Sequence, residues 1–247
     1  MNRGTGSCGR RANGRRTPDG GRGARDSLPN VTVDPVDLFP TAAETAAALI
    51  ATPAVADRWN DESACAGMSV GGLAHHLAGQ AGNVVRLFSE PPTDDEPIPL
   101  LEHYRRAAWV HTGLDEEDNV GIRDESNQDA AGGPDALAEL VRRDLAALPP
   151  VLAPVAAGER SPDIVHIPWQ GWSLSTRDFL VTRMMEIVVH SDDLAASVDL
   201  PTPEFPEPVV AAVLALLSGV AVERHGQAAV VRALSRPQRA PASVSAF

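Results

Sequence analysis

Four residues in the stretch Arg183-Met184-Met185-Glu186-Ile187-Val188-Val189-His190-Ser191-Asp192-Asp193-Leu194 have the types and spacing for chemistry. Arg183, Glu186, His190 and Asp193 fall at offsets 0, 3, 7 and 10, so a helix stacks them on one stripe. Phe179, Ile187 and Leu194 lie on the same side, which makes that stripe apolar rather than solvent-facing. A carboxylate and an imidazole aimed into an apolar face need partners, because unpaired buried polar groups are costly. Glu186 and His190, one turn apart, both reach one point beside the helix, and a divalent metal ion suits that spacing. Hydrogen bonding alone also satisfies it: Glu186 pairs with Arg183 as a buried ion pair, and His190 finds a backbone carbonyl.

A metal needs a third ligand from another helix. The segment near 70–89 offers His75 and His76, and periodicity separates them. Stepping about 100° per residue from Leu73, Leu77 and Val84 stay within about 40° of it, His76 lies about 60° off and His75 about 160° off. His76 therefore borders the apolar face and His75 points to solvent. His76, Glu186 and His190 are the candidate metal ligands, and three protein ligands leave a position open, as catalytic sites do. The order Glu-Ile-Val-Val-His is not the His-Glu-x-x-His of a zincin, and the paired Glu-x-x-His motifs of a di-iron bundle are missing.

Arg183 and Asp193 are candidates for catalytic support. Arg183 can hold an anionic substrate group, or a salt bridge to Glu186 or Asp193. Asp193 can orient the His190 imidazole, or cap the helix. His103, Tyr104, Arg105, Arg106, Trp109 and His111 form an aromatic and basic cluster that can line a substrate cleft. Trp169 and Trp172 read as packing residues, Cys65 as a small buried hydrophobe or a reactive thiol, and His166 and His225 as incidental.

The elements that must position these side chains read as helices. Apolar periodicity predicts helices near 34–57, 70–89, 134–157, 175–197 and 207–234, with a short one within 100–112. Ser69 and Ser175 read as N-caps, and Gly133-Pro134 opens a helix with proline in its first turn. Pro149, Pro150 and Pro154 are expected to kink or shorten the end of that helix. Residues 114–131 read as an acidic polar loop, 163–168 as an extended stretch and 237–247 as an irregular tail. The expected fold is all-α: an antiparallel four-helix bundle over 31–200, with an additional C-terminal helix and tail over 201–247. Residues 1–30, rich in Arg and Gly, read as a disordered tail, or as untranslated sequence ahead of a start at Val31.

Composition narrows the function. Hydrophobic residues make up 43% of 247 positions, enough for one sizeable core, while aromatics are 4%, so that core must be largely aliphatic. Every basic residue is arginine, which reads as a mark of a high-GC genome. Net charge is −12, divided as +5 on residues 1–30 and −17 on residues 31–247. An acidic body argues against nucleic acid and anionic membrane surfaces as partners. Two cysteines, Cys8 and Cys65, exclude a disulfide framework and suit a cytoplasmic protein. No run approaches the roughly 18 consecutive apolar residues of a membrane span.

Two stretches, Gly67-Met68-Ser69-Val70-Gly71-Gly72-Leu73-Ala74-His75-His76-Leu77-Ala78 and Arg183 through Leu194, carry a family resemblance. Trp172-Ser173-Leu174 and Phe179 through Thr182 match more loosely. Together they resemble the mycothiol-dependent maleylpyruvate isomerase-like branch of the DinB-like superfamily of actinobacteria. The resemblance implies a divalent metal, zinc foremost with nickel, iron or manganese as alternatives, held by His76, Glu186 and His190. It also implies mycothiol as co-substrate, so the partners expected are a small thiol and a small electrophile, and it implies pairing as a homodimer. The expected activity is a thiol-dependent transferase or isomerase. The alternative is a non-catalytic metal- or ligand-binding module. The isomerases carry a second, C-terminal α/β domain, whereas the residues after Pro201 read as one helix and a tail. Maleylpyruvate isomerisation itself is therefore not expected.

Overall fold

The computed structural model describes residues 33–111 and 117–247. The expectations for residues 1–30, and for part of the 114–131 segment, lie outside those residues.

Four long helices pack on one another: α1 (Pro35–Ile50), α3 (Val70–Ser89), α7 (Gly133–Ala156) and α8 (Thr176–Ser197). Their starts follow from local chemistry. Asp34 accepts a hydrogen bond from the Val36 amide ahead of α1, Ser69 from Gly72 ahead of α3, and Ser175 from Asp178 ahead of α8. The core between them is aliphatic with a few aromatic anchors, including Phe39, Leu73, Leu77, Leu137, Leu148, Phe179 and Met184.

Several expectations are corrected. The segment near 34–57 forms two helices, α1 and α2 (Pro53–Asp57), because Pro53 forces Thr52 into an extended conformation. The prolines of α7 do not shorten it: the helix runs to Ala156, with Leu148, Leu152 and Val155 buried along its last turns. Much of the predicted acidic loop is a helix, α6 (Glu117–Asp129), after the short helices α4 (Leu100–Arg106) and α5 (Ala108–His111). Hydrogen bonds rather than an apolar stripe dock it. Asn127 Oδ1 accepts from the Ser69 amide at 2.9 Å, Asn127 Nδ2 donates to Gly67 O at 3.0 Å and Arg123 Nη1 to Ala66 O at 3.3 Å.

The extended stretch is one strand of a hairpin, β1 (Ile164–Ile167) paired antiparallel with β2 (Trp172–Ser175). The expected C-terminal helix is two, α9 (Glu207–His225) and α10 (Gln227–Ser235), because Gly226 sits between them at φ +82°. By length and composition α9 could cross a membrane; here it packs on α8, α1 and α4 and buries Val209, Val213, Leu216 and Val220. The last residues fold back: the Phe247 ring lies 5.0 Å from Trp109 and 5.7 Å from Tyr104.

Candidate metal centre

Helix α3 supplies His76, and α8 supplies Glu186 and His190 one turn apart. Glu186 Oε2 lies 3.4 Å from His76 Nε2 and 3.1 Å from His190 Nε2, and the two imidazoles meet edge to face at 4.8 Å. One ligand-type atom from each side chain falls within 4.8 Å of the other two. Ligands about 2.0–2.1 Å from a tetrahedral ion lie about 3.3 Å apart. Two edges of this triangle are therefore already close to those of a coordination tetrahedron, and two imidazoles with a carboxylate are a donor set that zinc accepts. The donor set fits a divalent metal. Side-chain exposures are 21% for His76, 13% for Glu186 and 23% for His190, so each of the three is partly accessible.

Asp193 sits one turn beyond His190, its Oδ2 3.0 Å from Nδ1. That contact leaves Nε2 facing Glu186. Burial by itself would push the Glu186 carboxyl up. Hydrogen bonds from His190 and His76 and the charges of His190 and Arg183 outweigh burial and hold it well below the usual carboxylate range. Burial would likewise lower His190, but Asp193, Cys65 and Glu186 raise it well above the usual histidine range. Without a metal, His190 lies between two carboxylates that favour its protonated form.

Arg183 has neither of the ion pairs that its spacing allowed. Its Nη1 donates to Gln80 Oε1 at 2.8 Å, its Nε to Thr182 Oγ1 at 3.1 Å, and its guanidinium lies 5.3 Å from the centre of the Phe179 ring. Among the described residues this half-buried cation has no carboxylate partner. Gln80 is itself satisfied, because its Nε2 donates to His76 O at 2.7 Å.

The aromatic and basic cluster divides. Arg105 and Arg106 pair with Glu102, and Arg105 also with Glu223, away from the triad. Trp109 packs on Tyr104, and the side chain of His111 lies outside the described residues. His103 and Tyr104 are buried, at 3% and 2% exposure. Trp172 Nε1 donates to His103 Nδ1 at 3.0 Å, so the hairpin braces that imidazole. Burial, then the charge of Arg183, opposed by Glu186, lowers His103 to about 4.

Two assignments change and one residue is added. Cys65 is not an inert hydrophobe: its thiol donates to Asp193 Oδ2 at 3.4 Å and lies 4.0 Å from His190 Nδ1. It comes from the loop before α3, where helical periodicity carries no information. Gln80 was overlooked although it follows His76 by four residues on the same stripe. His75 is only partly in solvent: it is half-buried and within reach of the Asp129 charge from α6. Ser173, His166 and Asp95 also converge, away from the three candidate ligands in sequence. The 1% exposed Ser173 hydroxyl donates to Asp95 at 2.8 Å, and His166 approaches both residues through Nδ1 at 3.2 Å.

The mycothiol maleylpyruvate isomerase N-terminal domain family matches residues 39–195, a span that takes in α3, α7 and most of α1 and α8. No curated protein and no solved structure was found to match the chain. With well over half of its length inside that match, the chain belongs to the mycothiol maleylpyruvate isomerase N-terminal domain family.

Proposed function

We propose that this protein is a DinB-like four-helix bundle that holds one divalent metal, zinc by preference, through His76, Glu186 and His190, and catalyses a thiol-dependent transfer or isomerisation of a small electrophile. The observation that carries the reading is the approach of Nε2, Oε2 and Nε2 from two helices to within 4.8 Å of one another in a half-buried site. Membership of a mycothiol-related family supports mycothiol as the thiol. A divalent ion there supplies Lewis acidity, which favours the thiolate form of a coordinating thiol.

The chain's own residues set the terms. Asp193 accepts from His190 Nδ1 and keeps the other nitrogen turned inward. Glu186 stays ionised against its burial and contributes the negative charge that a dication requires. Arg183, tied to Gln80 and without an ion-paired carboxylate among the described residues, holds an anionic group of the electrophile beside the triad. The low-molecular-weight thiol is the nucleophile, so the protein need not supply one. We place this activity in an actinobacterial cytoplasm, in a chain that pairs as a homodimer and takes neither nucleic acid nor a membrane surface as partner.

The test is elemental analysis of the purified chain beside His76→Ala, together with mycothiol-dependent consumption of an aryl halide by wild type and His190→Ala. Near one metal per wild-type chain, lost in His76→Ala, and turnover lost in His190→Ala are expected. Metal without turnover would make it a binding module, and wild type without metal would overturn the reading altogether.

A further inference from the structure

The loop ahead of α3 carries Cys65 to the edge of His190 that the first triad does not use. The Cys65 thiol donates to Asp193 Oδ2 at 3.4 Å and lies 4.0 Å from His190 Nδ1, and those two partners are 3.0 Å apart. Thiolate, carboxylate and imidazole are all ligands that zinc accepts. The three atoms fall within 4.8 Å of one another, as those of the first triad do. Zinc bonds sulfur at about 2.3 Å and nitrogen or oxygen at about 2.0–2.2 Å, so neighbouring ligands of a tetrahedron lie about 3.4–3.6 Å apart. Every edge of this second triangle is within about 0.5 Å of those values.

The loop holds the thiol in that place by bonds of its own. Ser63 Oγ accepts from the Cys65 amide and donates to Cys65 O, both at 3.1 Å, and the Met68 amide donates to the same carbonyl at 3.0 Å. The Ala64 amide donates to Ser197 Oγ at 2.8 Å, and that hydroxyl donates in turn to Asp193 O at 2.6 Å. The residue before the cysteine is thus tied to the turn of α8 that bears Asp193. Thiol and ring also address the same oxygen, Oδ2, so three ligand-type atoms close around one small space. Cys65 is half-buried, and Asp193 and His190 are partly exposed, so none of the three is sealed in the core.

We infer that Cys65, Asp193 and His190 form a second metal site, which takes a thiophilic divalent ion such as zinc or cadmium. His190 presents Nε2 to Glu186 and His76 and Nδ1 to Cys65 and Asp193, so one ring serves both sites. An ion bound there replaces two protons, the thiol's and the one on Nδ1, and leaves the ring as a bridge to the first ion. Its sulfur ligand makes this the softer of the two sites, since the first offers only nitrogen and oxygen. The inference shares His190 with the function proposed above and needs no thiol substrate or turnover.

The test uses cadmium, whose bond to a thiolate gives a charge-transfer band in the ultraviolet. Cys8 is the only other cysteine, so the full-length chain carries Cys8→Ser throughout. Titration is expected to raise the band to saturation at one thiolate per chain. Cys65→Ser should abolish it at unchanged melting temperature of the metal-free protein, and Asp193→Asn should weaken its saturation roughly tenfold. His76→Ala should keep the band while it loses the first ion. A band lost with His76 would put the thiol on the first ion and overturn a separate site.

Cadmium-113 resonance of the chain with Cys65 and His76 intact gives an answer that needs no further variant. Two resonances are expected at saturation, one of them shifted downfield by sulfur. A single resonance in the nitrogen and oxygen range, with no charge-transfer band, sinks this site and leaves the first standing. A sulfur-shifted resonance by itself supports this site and counts against the first.

Discussion

Asp193 holds His190 by the nitrogen that faces away from Glu186, with 3.0 Å between Oδ2 and Nδ1. The contact fixes both the ring's orientation and the position of its proton, so its effect should show in metal affinity rather than in the fold. Asp193→Ala is expected to weaken zinc binding about 10- to 100-fold, measured by competition with a chromophoric chelator. Wild-type affinity in that variant would remove Asp193 from the site.

The cationic state of metal-free His190 has a thermodynamic signature. Its proton must leave before Nε2 can bind a metal, so zinc uptake at neutral pH should release about one proton. Titration calorimetry in two buffers of different ionisation enthalpy reads this directly, and equal apparent enthalpies in both would contradict it. The stability of the metal-free protein follows the same charges. The His190 contribution is complete below its ordinary value of 6.5 and fades as pH rises through its raised folded value. The Glu186 contribution is complete above 4.5 and is lost as pH falls through its depressed one. Both are whole between 4.5 and 6.5.

His103 responds to acid in the opposite sense from His190. Its folded value of about 4 lies below its ordinary 6.5, so the neutral imidazole stabilises the fold above 6.5, and that contribution drains away between 6.5 and 4. The full shift corresponds to about 3 kcal/mol. Melting temperatures recorded from pH 7 to pH 4 should fall more steeply for wild type than for His103→Gln. Parallel curves would mean that protonation of His103 costs the fold nothing.

The start of α3 is packed too closely for any side chain at Gly71. A Cβ there would meet the Trp59 indole at 2.5 Å, and that indole is fixed by its hydrogen bond to Ala130 O at 3.0 Å. Gly71→Ala should destabilise the protein by about 1–3 kcal/mol, which thermal unfolding would show as a drop of several degrees. An unchanged melting temperature would mean that Trp59 moves aside freely.

The helices bearing the triad were legible because each announces itself twice, by an apolar stripe and by a serine cap: Ser69 for α3 and Ser175 for α8. His76 could be separated from His75 because the site lies along the apolar border of α3. Helix α6 was not legible, since it docks through Asn127 and Arg123 rather than an apolar face. Its Asp129 brings a negative charge within reach of His75, which its angle on α3 alone did not foretell. The contact of Cys65 with Asp193 was not legible for a related reason: it is made from a loop, and loops carry no period. The break at Gly226 was readable in principle, but the apolar residues on either side of it continue as if one helix ran through.

The triad has a consequence for how the molecule holds together. His76 and Glu186 are 110 residues apart, on different helices, so no local fragment contains the site. An ion bound there would favour only the fully assembled chain, adding stability in proportion to the logarithm of its concentration over its dissociation constant. The metal centre would thus serve as a cross-link closed by chemistry instead of by a disulfide. Melting temperature, followed against zinc concentration, would then report occupancy of the site before any substrate is known.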